Sequence, residues 1–345
     1  MTIDTFTDPR LVLLTNWAAS LTHFSLQAAT MRPASSDASF RRYFRIADNN
    51  GKTFILMDAP PPQEDIRPFI HVAQLFGDAG VTVPHILADN IEHGFLLLSD
   101  LGSTMYSHLL KQDNGFANAQ KLYMDAINSL IKIQLHSQPD VLPEYDRTTQ
   151  MKELMIFPEW YIDKHLGATL TTTQQTSLDK VFEQILANTM AQPQVYVHRD
   201  YHSRNLMVMK EDNPGILDFQ GAMFGPVTYD IVSLLRDAYM EWDEEQVLDW
   251  VIRYWERARH VGLPVSTDID SFYRDVEFMG LQRHLKILGI FCRLAYRDNK
   301  NGYLADLPLV LSYVRKTAQR YNVLIPLLRL LDELENKTAQ VGYTF

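Results

Sequence analysis

Asp200 stands two residues after His198 and five before Asn205, and a second aspartate, Asp218, follows the amide by thirteen. A carboxylate beside an acceptor hydroxyl can take its proton. An amide oxygen and a second carboxylate are the hard ligands that Mg²⁺ accepts alongside substrate phosphates. Together the three side chains suit transfer of a phosphoryl group from Mg·ATP, a reaction in which positioning and charge compensation do most of the work. A string of this spacing also arises by chance, and a lone loop aspartate is more often a turn former or a helix cap. The flanking elements therefore decide its meaning.

Val195-Tyr196-Val197 reads as a short strand leading into the loop that carries Asp200. Leu206 to Met209 and Gly215 to Phe219 read as two strands of a hairpin across the turn-rich Lys210 to Pro214. Pairing Met209 with about Gly215 sets Leu206 opposite about Asp218. Asn205 and Asp218 then project from one end of the hairpin, beside the loop of Asp200.

These strand signals interrupt a helical half. Before them, from about Ala34 to Ser99, strands dominate: Tyr43 to Ala47 and Thr53 to Met57 flank the turn Asp48-Asn49-Asn50-Gly51. Glu64 to Phe76 has helical spacing, and short strands follow near Pro84 to Leu87 and Gly94 to Leu98. After Gly102, helices are expected over Ala117–His136, Leu178–Met190, Thr228–Trp242, Glu244–Arg259 and Phe272–Tyr296. The expected fold class is α+β in two lobes. Residues 1–100 form a small antiparallel sheet lobe, and residues 101–345 form a larger, mainly helical lobe with the catalytic loop, the metal hairpin and the acceptor site.

The chain has 345 residues and a formal net charge of −10, which argues against nucleic acid or an anionic membrane as partner. One cysteine, Cys292, leaves no internal disulfide framework. No secretory signal or spanning apolar stretch is visible, and the expected location is the cytoplasm. Nothing points to an obligate protein partner; the expected partner is a small-molecule sugar.

Val197-His198-Arg199-Asp200 through Asn205, Ile216-Leu217-Asp218-Phe219-Gln220 and Gly225-Pro226-Val227-Thr228-Tyr229-Asp230-Ile231 resemble the aminoglycoside-phosphotransferase-like kinases. These are relatives of choline kinase with a two-lobed, protein-kinase-like fold. The resemblance covers nearly the whole chain and implies ATP and Mg²⁺ as cofactors. It implies Asp200 as catalytic base, Asn205 and Asp218 as metal ligands, and His198 and Asp230 as support for the loop. Ser35 to Arg45, Met57-Asp58-Ala59-Pro60-Pro61, Ser233 to Tyr239 and Gln282 to Lys286 resemble a bacterial branch that phosphorylates N-acetylmuramate and N-acetylglucosamine at C1 in cell-wall recycling.

Against the family pattern, the third strand lacks the phosphate-binding lysine, and Met57 stands about where it is expected. Arg41, Arg42, Arg45 and Lys52 are candidates to replace its charge, with Ser35, Ser36 and Ser39 as hydroxyl donors to the nucleotide. Trp160, Arg236, Asp237 and Arg283 are candidates for the acceptor site, since sugars favour aromatic faces and a carboxylate favours arginine. Two alternatives stand beside the sugar kinase. An aminoglycoside- or choline-type kinase would use an acidic pocket, such as Glu241 to Glu245 could supply. A nucleotide-binding regulatory pseudokinase would fit the absent lysine.

Overall fold

The computed structural model describes residues 8–35, 40–112 and 115–341. Two compact units divide the chain. The first comprises residues 1–108 and 205–221, and the second comprises 109–204 and 222–345. The hairpin expected among the helices therefore packs with the sheet.

In the first unit, α1 (Pro9–Ser20) precedes β1 (Leu26–Ser35), β2 (Arg42–Asp48), β3 (Thr53–Asp58), α2 (Arg67–Asp78), β4 (Ile86–Asn90) and β5 (Phe95–Ser99), and the short α3 (Tyr106–Leu110) spans the boundary. The five strands form one antiparallel sheet in the order β1-β2-β3-β5-β4. Strand alternation sends Phe44, Ile46, Phe54, Leu56, Phe95 and Leu97 to one face, where they bury Leu11, Leu14 and Ala18 of α1. Asp8 caps α1 by accepting from the N–H groups of Arg10 and Leu11 at 3.0 and 3.2 Å.

On the other face Met57 is fully buried, opposite Tyr43 and Leu96. An ammonium group there would lose its water with no carboxylate across from it, so a methionine suits the position. The buried face of α2 presents Phe69, Val72, Ala73 and Phe76. Its rings meet Phe219, with centroids 4.8 Å from Phe69 and 5.9 Å from Phe76.

The second unit holds, in chain order, α4 (Gly115–Leu135), α5 (Arg147–Leu154), a wide π-type turn (Phe157–His165), α6 (Thr172–Ala191) and β6 (Gln194–Val197). After β7 (Leu206–Met207) and β8 (Gly215–Ile216), which belong to the first unit, come β9 (Met223–Pro226), α7 (Tyr229–Leu235), α8 (Glu244–His260), α9 (Ile269–Asp298), α10 (Leu307–Arg320) and α11 (Ile325–Val341). The helix expected to reach Trp242 stops at Leu235, because Asp237 then accepts from the N–H groups of Tyr239 and Met240 and turns the chain. The long α9 runs through the core formed with α6, α10 and α11. No described helix is long and apolar enough to cross a membrane.

Candidate active site

The loop after β6 is held from α7. β6 pairs antiparallel with β9, so Val197 faces Met223 and the chain leaves the sheet at His198. Asp230, fully buried in the first turn of α7, accepts from the N–H of His198 at 2.6 Å and from that of Arg199 at 3.0 Å. Burial pushes the Asp230 carboxyl up to about 7, against the pull of those two donors and of Arg283. The same two bonds secure a left-handed backbone at Arg199 (φ +77°), which costs on the order of 1–3 kcal/mol in a non-glycine residue. His198 in turn accepts from the N–H of Asp200 through Nδ1 at 3.2 Å.

Asp200 opens into a cavity of about 460 Å³ whose lining residues all belong to the second unit. Its charged walls are Glu153, Arg199, Asp200, Asp237, Arg283, Lys286 and Arg293, with His202, Tyr239 and Tyr303 beside them. Asp200 is exposed on the cavity wall, and the crowding of protein around its carboxyl works to raise its pKa. Lys286, His202, Arg283 and His198 outweigh this and hold it below the usual carboxylate value. Asp200 is thus an anion that can accept a hydrogen bond from a hydroxyl.

Glu153 organises the cavity wall and was not foreseen. It pairs with Lys286 at 2.8 Å and with Arg199, and accepts from the Tyr145 hydroxyl and, at 3.3 Å, from Gln282. Burial alone would raise its pKa, but Lys286 and Arg199 bring it down to about 2. Lys286 and Gln282 lie over a hundred residues from it in the chain, so no local spacing marks Glu153 as their partner.

The expected acceptor residues separate. Arg283 and Asp237 line the cavity, while Arg236 and Trp160 do not. Arg283 donates to the Arg199 carbonyl at 2.6 Å and to Ser233 Oγ at 2.8 Å, with its guanidinium 4.6 Å from the Tyr229 ring. Asp237 is engaged by Ser203 Oγ at 2.7 Å, by the Ser203 N–H and by two further backbone N–H groups, which makes it a brace for the loop. Arg236 instead pairs with Glu244 at 2.7 Å and lies 5.2 Å from the Tyr313 ring. Trp160, half-buried in the π-type turn, packs on the helical core.

In the first unit Asn205 and Asp218 meet at the base of the hairpin, Asn205 Nδ2 lying 3.4 Å from Asp218 Oδ2. The register differs from the expected one: Leu206 pairs with Ile216 and Met207 with Gly215. Met209 is withdrawn from the ladder because its N–H goes to Asn213 Oδ1 at 2.9 Å, and Pro214 has no N–H to give. The Asn205 carbonyl accepts from Leu217 N–H at 2.9 Å, and Gln220 donates to Asp218 Oδ1 at 2.6 Å. Asp218 adopts φ +61°, which an aspartate tolerates better than most residues. An amide and a carboxylate in contact fit Mg²⁺, for which one or two protein groups suffice when phosphates supply the rest.

The arginines expected to meet phosphate are already matched by carboxylates. Arg41 pairs with Glu64 at 3.0 Å. Arg42 binds Asp8 and the fully buried Asp58, which also pairs with Arg10. Arg45 holds Asp100 at 2.6 Å and the Gly102 carbonyl at 2.6 Å. This cluster ties α1 and β2 to the end of β3 and to the segment after β5, so its positive charge is largely compensated. Ser36 and Ser39 lie outside the described residues; Ser35 ends β1.

The family model of the phosphotransferase enzyme family (APH) matches residues 30–263. The N-acetylmuramate/N-acetylglucosamine kinase of Neisseria meningitidis is 44% identical over 337 residues, covering 97% of this chain and 99% of that protein. The enzyme of the same name from Pseudomonas putida is 44% identical, covering 89% of each chain. Among solved structures, the streptomycin–ATP–APH(2")-IIa ternary complex superposes with a TM-score of 0.54 at 13% identity, covering 85% of this chain and 94% of that one. The last likeness speaks to fold alone; the family match and the two close relatives are decisive together. The chain belongs to the phosphotransferase enzyme family.

Proposed function

We propose that the protein transfers the γ-phosphoryl group of ATP to an amino sugar, at the anomeric hydroxyl of N-acetylmuramate or N-acetylglucosamine, in cell-wall recycling. One observation carries the reading. Asp200 opens into a cavity with tyrosine on its walls, where the four cations Arg199, Arg283, Lys286 and Arg293 outnumber the three carboxylates Glu153, Asp200 and Asp237. That balance suits a neutral or anionic acceptor. An aminoglycoside or choline is cationic and would meet the surplus positive charge unfavourably. The acidic stretch that kept such an acceptor in view is used elsewhere: Glu244 pairs with Arg236 and Arg320, and Asp243 opens α8.

In this reading Asp200 accepts the proton of the acceptor hydroxyl and aims its oxygen at phosphorus. Lys286, His202 and Arg283 keep Asp200 ionised. Asn205 and Asp218 would hold Mg²⁺. Bound Mg·ATP supplies the phosphoryl group, and its metal offsets part of the triphosphate charge. The missing β3 lysine does not remove any of these groups, which favours an enzyme over a regulatory pseudokinase. Phosphoryl transfer from radiolabelled ATP, assayed with N-acetylmuramate, N-acetylglucosamine, choline and kanamycin, with Mg²⁺ and with EDTA, tests the proposal. The two sugars should turn over in Mg²⁺ only, and mild acid should release the product's phosphate as it does from glycosyl phosphates. Turnover confined to choline or kanamycin would refute the assignment.

A further inference from the structure

The cations that line the Asp200 cavity differ in how they are occupied. Arg199 and Lys286 are paired with Glu153, and Arg283 donates to a backbone carbonyl and to Ser233. Arg293 lies on the same face of α9, seven residues beyond Lys286 and ten beyond Arg283. It makes no hydrogen bond or ion pair among the described residues, and its buried Nε has no partner. Asp298, a carboxylate that feels its charge, already gives both oxygens to Arg297, at 2.7 and 2.8 Å. A guanidinium on a cavity wall that no described acceptor of the chain engages is set to bind an oxygen from outside the chain through its N–H groups on the cavity side.

We propose that Arg293 binds a carboxylate on the acceptor, and so sets the preference for N-acetylmuramate over N-acetylglucosamine. The inference rests on the sugar-kinase reading above. The two sugars differ by one lactyl ether, whose carboxylate is the only anionic group on either. A guanidinium fork can take both oxygens of that group, which a lysine cannot match in geometry. Arg293 is also one of the four cations that outnumber the cavity's three carboxylates, and the one with no partner among the described residues. The remaining three serve Glu153 and the catalytic loop.

The test compares kcat/KM for the two sugars in the wild type, Arg293→Met and Arg293→Lys. Arg293→Met should lower the ratio of N-acetylmuramate to N-acetylglucosamine by about 10²-fold, the loss falling mainly on the charged sugar, and Arg293→Lys should recover part of it. The methyl ester of N-acetylmuramate supplies a second readout. Wild type should prefer the free acid to the ester, and Arg293→Met should not. A structural role would lower both sugars alike, so an unchanged ratio overturns the proposal. If the wild type phosphorylates neither sugar, the kinase reading fails on its own. Calorimetric binding of N-acetylmuramate then still decides on Arg293: weaker binding by Arg293→Met supports the assignment, and equal binding overturns it.

Discussion

Asp230 receives the backbone N–H of His198 at 2.6 Å with one carboxylate oxygen, and its other oxygen holds the next residue. The loop that presents Asp200 is therefore clamped from α7, in addition to the contacts its own His198 and Ser203 make. An asparagine at 230 would keep one acceptor and aim an amide N–H₂ at the second backbone donor. Asp230→Asn should cost about 1–3 kcal/mol in denaturant unfolding, with a fall in kcat that exceeds any change in sugar KM. Unaltered stability together with wild-type kcat would show that the clamp is dispensable.

Glu153 gives stability a pH dependence in the acid range. Its carboxyl sits near 2 in the folded chain against an ordinary value of 4.5, because Lys286 and Arg199 outweigh its burial. The stabilisation is therefore complete above pH 4.5 and is lost as pH falls toward 2. Glu153→Gln should be less stable than wild type at neutral pH by about 3–5 kcal/mol, since it leaves buried cations uncompensated. The gap should narrow steadily as pH falls below 4.5. A gap that stays constant across that window would mean that Glu153 is not held as an anion.

Asp218 carries the metal assignment. Asp218→Ala removes the carboxylate that lies against Asn205 and leaves Asp200 in place. The variant should need at least about tenfold more Mg²⁺ for half-maximal activity, with little change in thermal stability. An unchanged Mg²⁺ titration would exclude Asp218 as a ligand.

Arg236 tests the boundary of the acceptor cavity. Its charge is engaged by the part-exposed Glu244, and it does not line the cavity that holds Asp200. Arg236→Gln should cost up to about 1 kcal/mol in stability and leave the sugar KM within about twofold. A KM raised tenfold with unchanged stability would restore it to the acceptor site.

The turn Asp48 to Gly51 marks its hairpin because turn chemistry depends on neighbours, and β2 and β3 flank it as expected. The contact of Asn205 with Asp218 at the base of the hairpin was legible for the same reason, through spacing within one short stretch. The hairpin register was not, because a single side chain, Asn213, takes the N–H of Met209 out of the ladder. α1 was missed since Leu11 to Leu14 is an unbroken apolar run with little periodicity, of which Leu11 and Leu14 are buried and Val12 and Leu13 exposed. The partners of Arg41, Arg42 and Arg45 are set by which carboxylates the folded sheet brings near, and so a cluster that looked poised for phosphate is an internal framework. Glu153 was invisible because its meaning lies in Arg199 and Lys286, contributed by a loop and a helix remote in sequence.

The most direct test of the account is single-turnover phosphoryl transfer to N-acetylmuramate by Asp200→Asn at saturating Mg·ATP. If the carboxylate takes the acceptor proton, the rate should fall about 10²–10⁴-fold while ATP binding persists. Wild-type transfer rates in that variant would contradict the role of Asp200 and, with it, the mechanism.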